Sequence, residues 1–369
     1  ADPEKIDAAL KSETSALKKK IGQERRTGFS EEALEFRREE LEAHERVAIT
    51  LSQTGYIKRI SASTYRNQHR GGKGVASMNT RDDDAVRHIL VGDTHDTLLF
   101  FTNKGRVLSL TSYELRADVS RNTRGVPVGN VIPLGEGEQI NALGGLRSLR
   151  EPGLFLFMVT RKGSVKRVAL EEVSKIRRSG LIAMLLKRND ELVMARIVKE
   201  DDDVIMVTEQ GMSIRFPVSE VKPRHRVAGG VRGMALGPKD RIVAMDMVIP
   251  DSKLLVISKN GYGKLTDLNR YRRQGRAGSG IKTLNITKKT GTVAAAQVIA
   301  DSDEVYLVSK KAQVLRTSLS EIRSTGRVTQ GVTIFKPQPG DSVSSIACVR
   351  DFDQTESEEA DRSSSTNGK

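Results

Sequence analysis

Tryptophan is absent from this chain, and aromatic residues together make up 4% of it. Neither an aromatic fringe at a membrane surface nor a stacking platform for unpaired bases can be built from so few rings. A single cysteine, Cys348, excludes an internal disulfide. Its surroundings, "SSIACVR", read as a strand, so a structural thiol in a reducing cytoplasm is expected. No run of 18 apolar residues occurs, and the N-terminus lacks the basic-then-apolar order of a signal peptide. Neither a membrane-spanning helix nor export is therefore expected. No nucleophile and base pair up to support a catalytic assignment, and "GGKG" at 71–74 lacks the G-x-x-x-x-G-K-[ST] spacing of a phosphate-binding loop. The chain opens on Ala rather than Met, as a piece cut from a longer protein would.

What is present is length, charge and repetition. The chain has 369 residues, 37% of them hydrophobic, which suffices for a sizeable core. Its formal charge of +14 is unevenly spread. Residues 1–44 carry 9 basic and 11 acidic groups and residues 351–369 carry 2 and 6, leaving 50 and 30 for residues 45–350. A basic excess of that size on a folded body points to a polyanionic partner.

Six phrases superpose without gaps: "TLSQTGYIKR", "FFTNKGRVLS", "MVTRKGSVKR", "MVTEQGMSIR", "VISKNGYGKL" and "LVSKKAQVLR". Each places a Ser or Thr three residues ahead of a Gly between two β-type runs, with Ala312 replacing the Gly in the last. This is a hairpin whose turn needs a positive φ, and Asn260-Gly261 is its strongest form. The turns at 55, 105, 163, 211, 261 and 312 recur at a period of about 50. A second landmark follows each turn, a Gly before an apolar residue: Gly74-Val75, Gly125-Val126, Gly180-Leu181, Gly233-Met234, Gly280-Ile281 and Gly331-Val332. Several short strands per repeat of this length predict a mainly β, propeller-like ring of six blades over 45–351. Ahead of it, residues 3–21 show helical periodicity with Gly22 as the stop, and Ser30 can cap a second helix. Residues 352–369 are polar and acidic, and a disordered tail is expected.

Around the second landmark each repeat has a stretch without Asp or Glu: 65–81, 119–135, 173–189, 221–239, 268–300 and 322–340. These stretches hold Arg70 and Lys73; Arg121 and Arg124; Arg177 and Arg178; Arg224, Arg226 and Arg232; Arg272, Arg273 and Arg276; Arg323 and Arg327. Equivalent loops of a ring lie at equivalent places, so the stretches predict one positive belt. Charge for solubility alone does not require acids to be excluded in register, and a membrane belt would want aromatics. Phosphates of duplex DNA, met by cations and by N–H groups bared by glycine, fit the pattern best. The acids gather elsewhere, as in Asp82-Asp83-Asp84, Asp201-Asp202-Asp203 and Asp301-Asp303-Glu304, and read as solvated turns. His88 and His95, near Asp93 and Asp96, read as surface histidines, and no metal site is assigned.

The stretch "QHRGGKG", Gln68, His69, Arg70, Gly71, Gly72, Lys73 and Gly74, is similar to the gyrase box, Gln-Arg-Arg-Gly-Gly-Arg-Gly. His69 stands where that motif has Arg, and Lys73 conserves the charge. With the six repeats, and with "ADPEKI" and "IGQERRT" near the N-terminus, the chain closely resembles the C-terminal domain of the A subunit of bacterial DNA gyrase. The resemblance implies a six-bladed β-pinwheel on 45–351, preceded on 1–44 by the helical exit of a coiled-coil arm and a linker. It implies that duplex DNA is bent and wrapped around the perimeter, directing strand passage and negative supercoiling. It also implies that the cleavage tyrosine lies in an upstream core of the same polypeptide. ATP and Mg²⁺ would bind in the gyrase B subunit of an A2B2 assembly, so the fragment itself would bend DNA without cutting it and would hold no cofactor. Two alternatives stay open: the corresponding domain of topoisomerase IV, and a propeller scaffold for acidic proteins.

Overall fold

The computed structural model of the chain describes residues 2–23, 41–62, 86–118, 123–300, 304–311 and 313–349. Outside the described residues lie the stretch Gln68 to Gly74, Arg121, Asp82 to Asp84, Asp301 to Asp303, Ala312, the body of the helix expected from Ser30, and the acidic tail. The chain divides into two compact units, one ending at Glu42 and one starting at Ala43.

In the first unit a helix runs over Pro3–Ile21. Asp2 caps it, accepting from the Glu4 N–H at 3.3 Å, Pro3 occupies the first turn, and Lys18, Lys19 and Lys20 stand at the negative end of the dipole. The helix stops at Gly22 as expected, but in extended backbone with φ of −62° rather than the left-handed form.

The second unit is the ring of six blades. In each repeat the Ser or Thr of the repeated phrase is fully or nearly buried and closes its own hairpin. Ser52, Thr102, Thr160, Thr208, Ser258 and Ser309 each accept the backbone N–H of the residue four places on, at 2.9 to 3.3 Å. The turn glycines Gly55, Gly105, Gly163, Gly211 and Gly261 all have φ between 75° and 86°, as the pattern requires. This pairing of hydroxyl and glycine is why the phrase recurs.

One repeat does not make one blade. In blade 1 the sheet order runs from Val86–Asp93 through Arg46–Ser52 and Tyr56–Ser61 to Val126–Pro127, a two-residue strand lent by the second repeat. Blades 2 to 5 borrow Leu181–Ile182, Val231–Arg232, Ile281–Lys282 and Val332–Thr333 in the same way. Blade 6 shows three strands among the described residues. The borrowed strands correct the second landmark in repeat 4, where the equivalent pair is Gly230-Val231 rather than Gly233-Met234. The landmark glycines are demanded by close approach. A Cβ on Gly280 would lie 2.3 Å from the Ser213 carbonyl oxygen of the preceding blade, and one on Gly331 would lie 2.5 Å from that of Gly263.

Among the described residues, five apolar cores lie between successive blades. That between blades 4 and 5, for example, joins Ile205 and Val207 to Leu254, Val256 and Tyr271. Between blades 6 and 1, Gln53 Nε2 donates to Ser344 Oγ at 2.8 Å and to Ser345 Oγ at 3.2 Å. The inner strands Val343–Val349 and Val86–Asp93 lie side by side, so the ring closes. All six inner strands line a central cavity of about 810 Å³. His88 faces this cavity and is not a surface histidine: burial, together with Arg87 and Arg196, pushes its pKa down to about 3, so it is neutral. Burial pushes the Cys348 thiol up, consistent with a structural role.

Candidate nucleic-acid interface

Because the inner strands line the cavity, the sheet order places the borrowed strands at the outer edge of blades 1 to 5, each within an acid-free basic stretch. The sequence-predicted cations described there fall into two groups. Arg177, Arg178, Arg224, Arg232, Arg272 and Arg323 are exposed and make no side-chain hydrogen bond or ion pair within the described residues. They come from four successive loops and leave their charge to the solvent side.

The other five are built into the ring. The Arg124 guanidinium stacks 3.7 Å above the Tyr56 ring of the preceding blade. Arg273 reaches Asp203 at 2.7 Å, where Arg215 also binds at 2.9 Å. Asp203 is thus a buried acceptor between blades, not part of a solvated turn; Asp202 beside it takes the Lys199 N–H at 2.7 Å. Arg276 donates to the carbonyls of Glu220 at 3.1 Å and Arg232 at 3.0 Å, and Arg327 donates to that of Lys282 at 3.3 Å. The half-buried Arg226 is held through its backbone, its N–H donating to Glu172 Oε2 at 3.0 Å. Four of the described loops are therefore tied to the loop or hairpin before them, which preorganises the belt.

Three residues that sequence reasoning missed reinforce these ties. Lys58, Lys166 and Lys264 are at most 1% exposed, each three places after the turn glycine of blades 1, 3 and 5. Lys58 Nζ donates to the Thr123 carbonyl at 3.1 Å. Lys166 Nζ donates to the carbonyls of Ala183, at 2.9 Å, and of Arg226. Lys264 Nζ donates to the carbonyls of Gly326 at 2.7 Å and Arg327 at 2.5 Å, and to Thr329 Oγ1 at 3.1 Å. Blades 2, 4 and 6 carry Leu108, Ile214 and Leu315 at the same place. That alternation is the signal in the sequence, but a lysine in a strand ordinarily reads as a solvated side chain.

Burial pushes all three lysines down to about 8. Between roughly pH 8 and pH 10.4 the unfolded chain then holds more protons than the folded one, so stability gained from these lysines rises with pH across that window. Lys264→Met should destabilise the ring by about 1–3 kcal/mol, since it strands two part-buried carbonyls. The gap between parent and variant should widen from pH 7.5 to pH 9.5 in urea unfolding. A gap independent of pH would mean that Lys264 carries no buried charge.

The family "DNA gyrase C-terminal domain, beta-propeller" matches at residues 48–93, 96–144, 155–199, 202–249, 252–300 and 303–350, one match for each repeat. The chain is 43% identical over 366 residues to the DNA gyrase A subunit of Halalkalibacterium halodurans, covering 98% of this chain and 44% of the relative. It is 38% identical over 361 residues to that of Clostridium acetobutylicum, covering 98% and 43%. The chain thus spans less than half the length of these relatives. Among solved structures, the DNA gyrase A C-terminal domain aligns with a TM-score of 0.69 at 28% identity, over 83% of this chain and all of that one. The C-terminal domain of DNA topoisomerase IV aligns with 0.70 at 28% identity, over 87% and 98%. With all six repeats matched and the ring in place, the chain belongs to the family of DNA gyrase C-terminal, β-propeller domains.

Proposed function

We propose that this chain binds duplex DNA along its basic outer edge and bends it, acting as the DNA-wrapping part of a gyrase A subunit. The observation that carries the proposal is the set of six exposed, unpaired arginines, Arg177 to Arg323, on loops fixed to one another around the rim. A fixed arc of cations can neutralise phosphates along a curved path, and binding of this kind is nearly independent of sequence. In the assembled enzyme the cleavage core would precede the chain on the same polypeptide. The B subunit would supply ATP hydrolysis, and the bent duplex would be presented for strand passage.

The test is energy transfer between dyes at the two ends of a duplex of roughly 150 bp, one persistence length. Saturating protein should bring the ends together at low salt, and the effect should vanish as salt is raised. Binding that leaves the end-to-end distance unchanged would overturn the bending role. An acidic protein partner would instead leave the duplex unbound.

A further inference from the structure

Where the chain joins the ring, two histidines and a carboxylate converge. His44 Nδ1 lies 2.9 Å from Asp93 Oδ1, and His95 Nδ1 lies 3.3 Å from the same oxygen. The three ligand atoms all lie within 4.8 Å of one another. The two imidazoles are stacked with centroids 3.8 Å apart, and Tyr113 packs edge-on against His95 at 5.6 Å. Both Nδ1 atoms therefore turn toward one carboxylate oxygen.

The backbone that presents this cluster is fixed largely through Thr94, whose Oγ1 also lies 3.2 Å from His95 Nδ1. Thr94 Oγ1 donates to the Ala43 carbonyl at 2.7 Å and accepts the Glu45 N–H at 3.2 Å. The Asp93 N–H donates to Asp96 Oδ2 at 2.8 Å, and the His95 N–H donates to Asp93 Oδ1 at 2.9 Å. The cluster thus joins the segment before the first strand to the end of the first inner strand and the turn into blade 2.

We propose that His44, Asp93 and His95 form a site for a divalent transition-metal ion of the zinc class, held through Nδ1, Oδ1 and Nδ1 with its other positions open to water. Ligands bound at about 2.0–2.2 Å around a tetrahedral ion stand roughly 3.3–3.5 Å apart. The separations of 2.9 and 3.3 Å onto Asp93 are close to that, the third lies within 4.8 Å, and rotation of the stacked imidazoles about their side-chain torsions must aim both Nδ1 lone pairs at one ion. Two neutral imidazoles and one carboxylate suit zinc, cobalt or nickel, whereas magnesium and calcium prefer all-oxygen sites. The competing reading is a hydrogen-bonded cluster in which both imidazoles only donate to Asp93 Oδ1, with no ion bound.

The experiment titrates the purified chain with Co²⁺, following visible absorption, and with Zn²⁺ against a chromophoric chelator. One equivalent should bind, and His44→Gln and His95→Gln should each weaken binding at least tenfold. Zn²⁺ should raise the melting temperature of the parent but not of His44→Gln. His44 has a 59% exposed side chain, so its replacement leaves the fold intact. His225→Gln, on a basic loop of the rim, should bind like the parent. Equal binding by His44→Gln and the parent, or no binding above the chelator background, would overturn the site and leave a hydrogen-bonded cluster only.

Discussion

With Arg177, Arg178, Arg224, Arg232, Arg272 and Arg323 replaced together by alanine, the ring should stay folded and the salt dependence of duplex binding should nearly collapse. Each neutralised phosphate contributes about 0.9 to the slope of log affinity against log salt, so six lost contacts remove about five units. Over a rise from 50 to 200 mM salt, the parent should lose roughly a thousandfold more affinity than the variant. None of the six side chains has a partner to strand among the described residues, so unfolding by urea should be unchanged within about 0.5 kcal/mol. The engaged arginines supply the contrast. Arg276→Ala and Arg327→Ala remove a donor from the carbonyls of Arg232 and Lys282, and should loosen the belt while changing the salt slope by less than one unit each. If the six exposed arginines leave the slope untouched, DNA does not follow this edge.

The difference between those two groups was not legible in the sequence, and the reason is physical. A run without acids reports the net charge of a loop, but not whether a particular guanidinium faces water or the carbonyl of the neighbouring loop. Arg272 and Arg273 are adjacent, yet one is free and the other sits on Asp203 from another blade. The hairpins, by contrast, were fully legible, because a Ser or Thr three residues before a Gly is a local device whose partners lie within four residues. Strand exchange was hidden, since a strand of two residues such as Val231–Arg232 has no alternation to detect. The misplaced Gly233 follows from this: Gly230 and Gly233 both precede an apolar residue, and only pairing with Ser164 and Val165 of the preceding blade separates them. The His44, Asp93 and His95 cluster was half visible, because His95 and Asp93 are neighbours in sequence while His44 is brought to them by the fold.

Replacing Gln68 to Gly74 by alanines is the second change with a large expected effect, and here geometry counts for more than charge. These residues lie outside the described part of the ring, so the expectation rests on the sequence and on what the described belt lacks. Bending a duplex by 40 to 90° over 20 to 30 bp costs on the order of 1–6 kcal/mol, so a wrap closes only if contacts reach both its ends. Apart from Arg116, which is exposed beside the second acid-free stretch, the exposed arginines of these stretches begin at Arg177, so the first blades hold few free cations there among the described residues. Arg124 is engaged with Tyr56, so Arg70 and Lys73 would supply the charge at the far end. The alanine variant should therefore remain folded and bind DNA with part of its affinity, but fail to bring the ends of a duplex together. In an enzyme reassembled with the cleavage core and the gyrase B protein, ATP-driven negative supercoiling should be lost while ATP-independent relaxation survives. His69→Arg in the otherwise unaltered chain should strengthen bending, because arginine is always charged whereas an imidazole with an unperturbed pKa of about 6.5 is not. The same readout separates a gyrase domain from its topoisomerase IV relative, whose solved fold aligns equally well. Supercoiling by the alanine variant at the parent rate would make this stretch an ordinary surface loop and remove the wrap's second end.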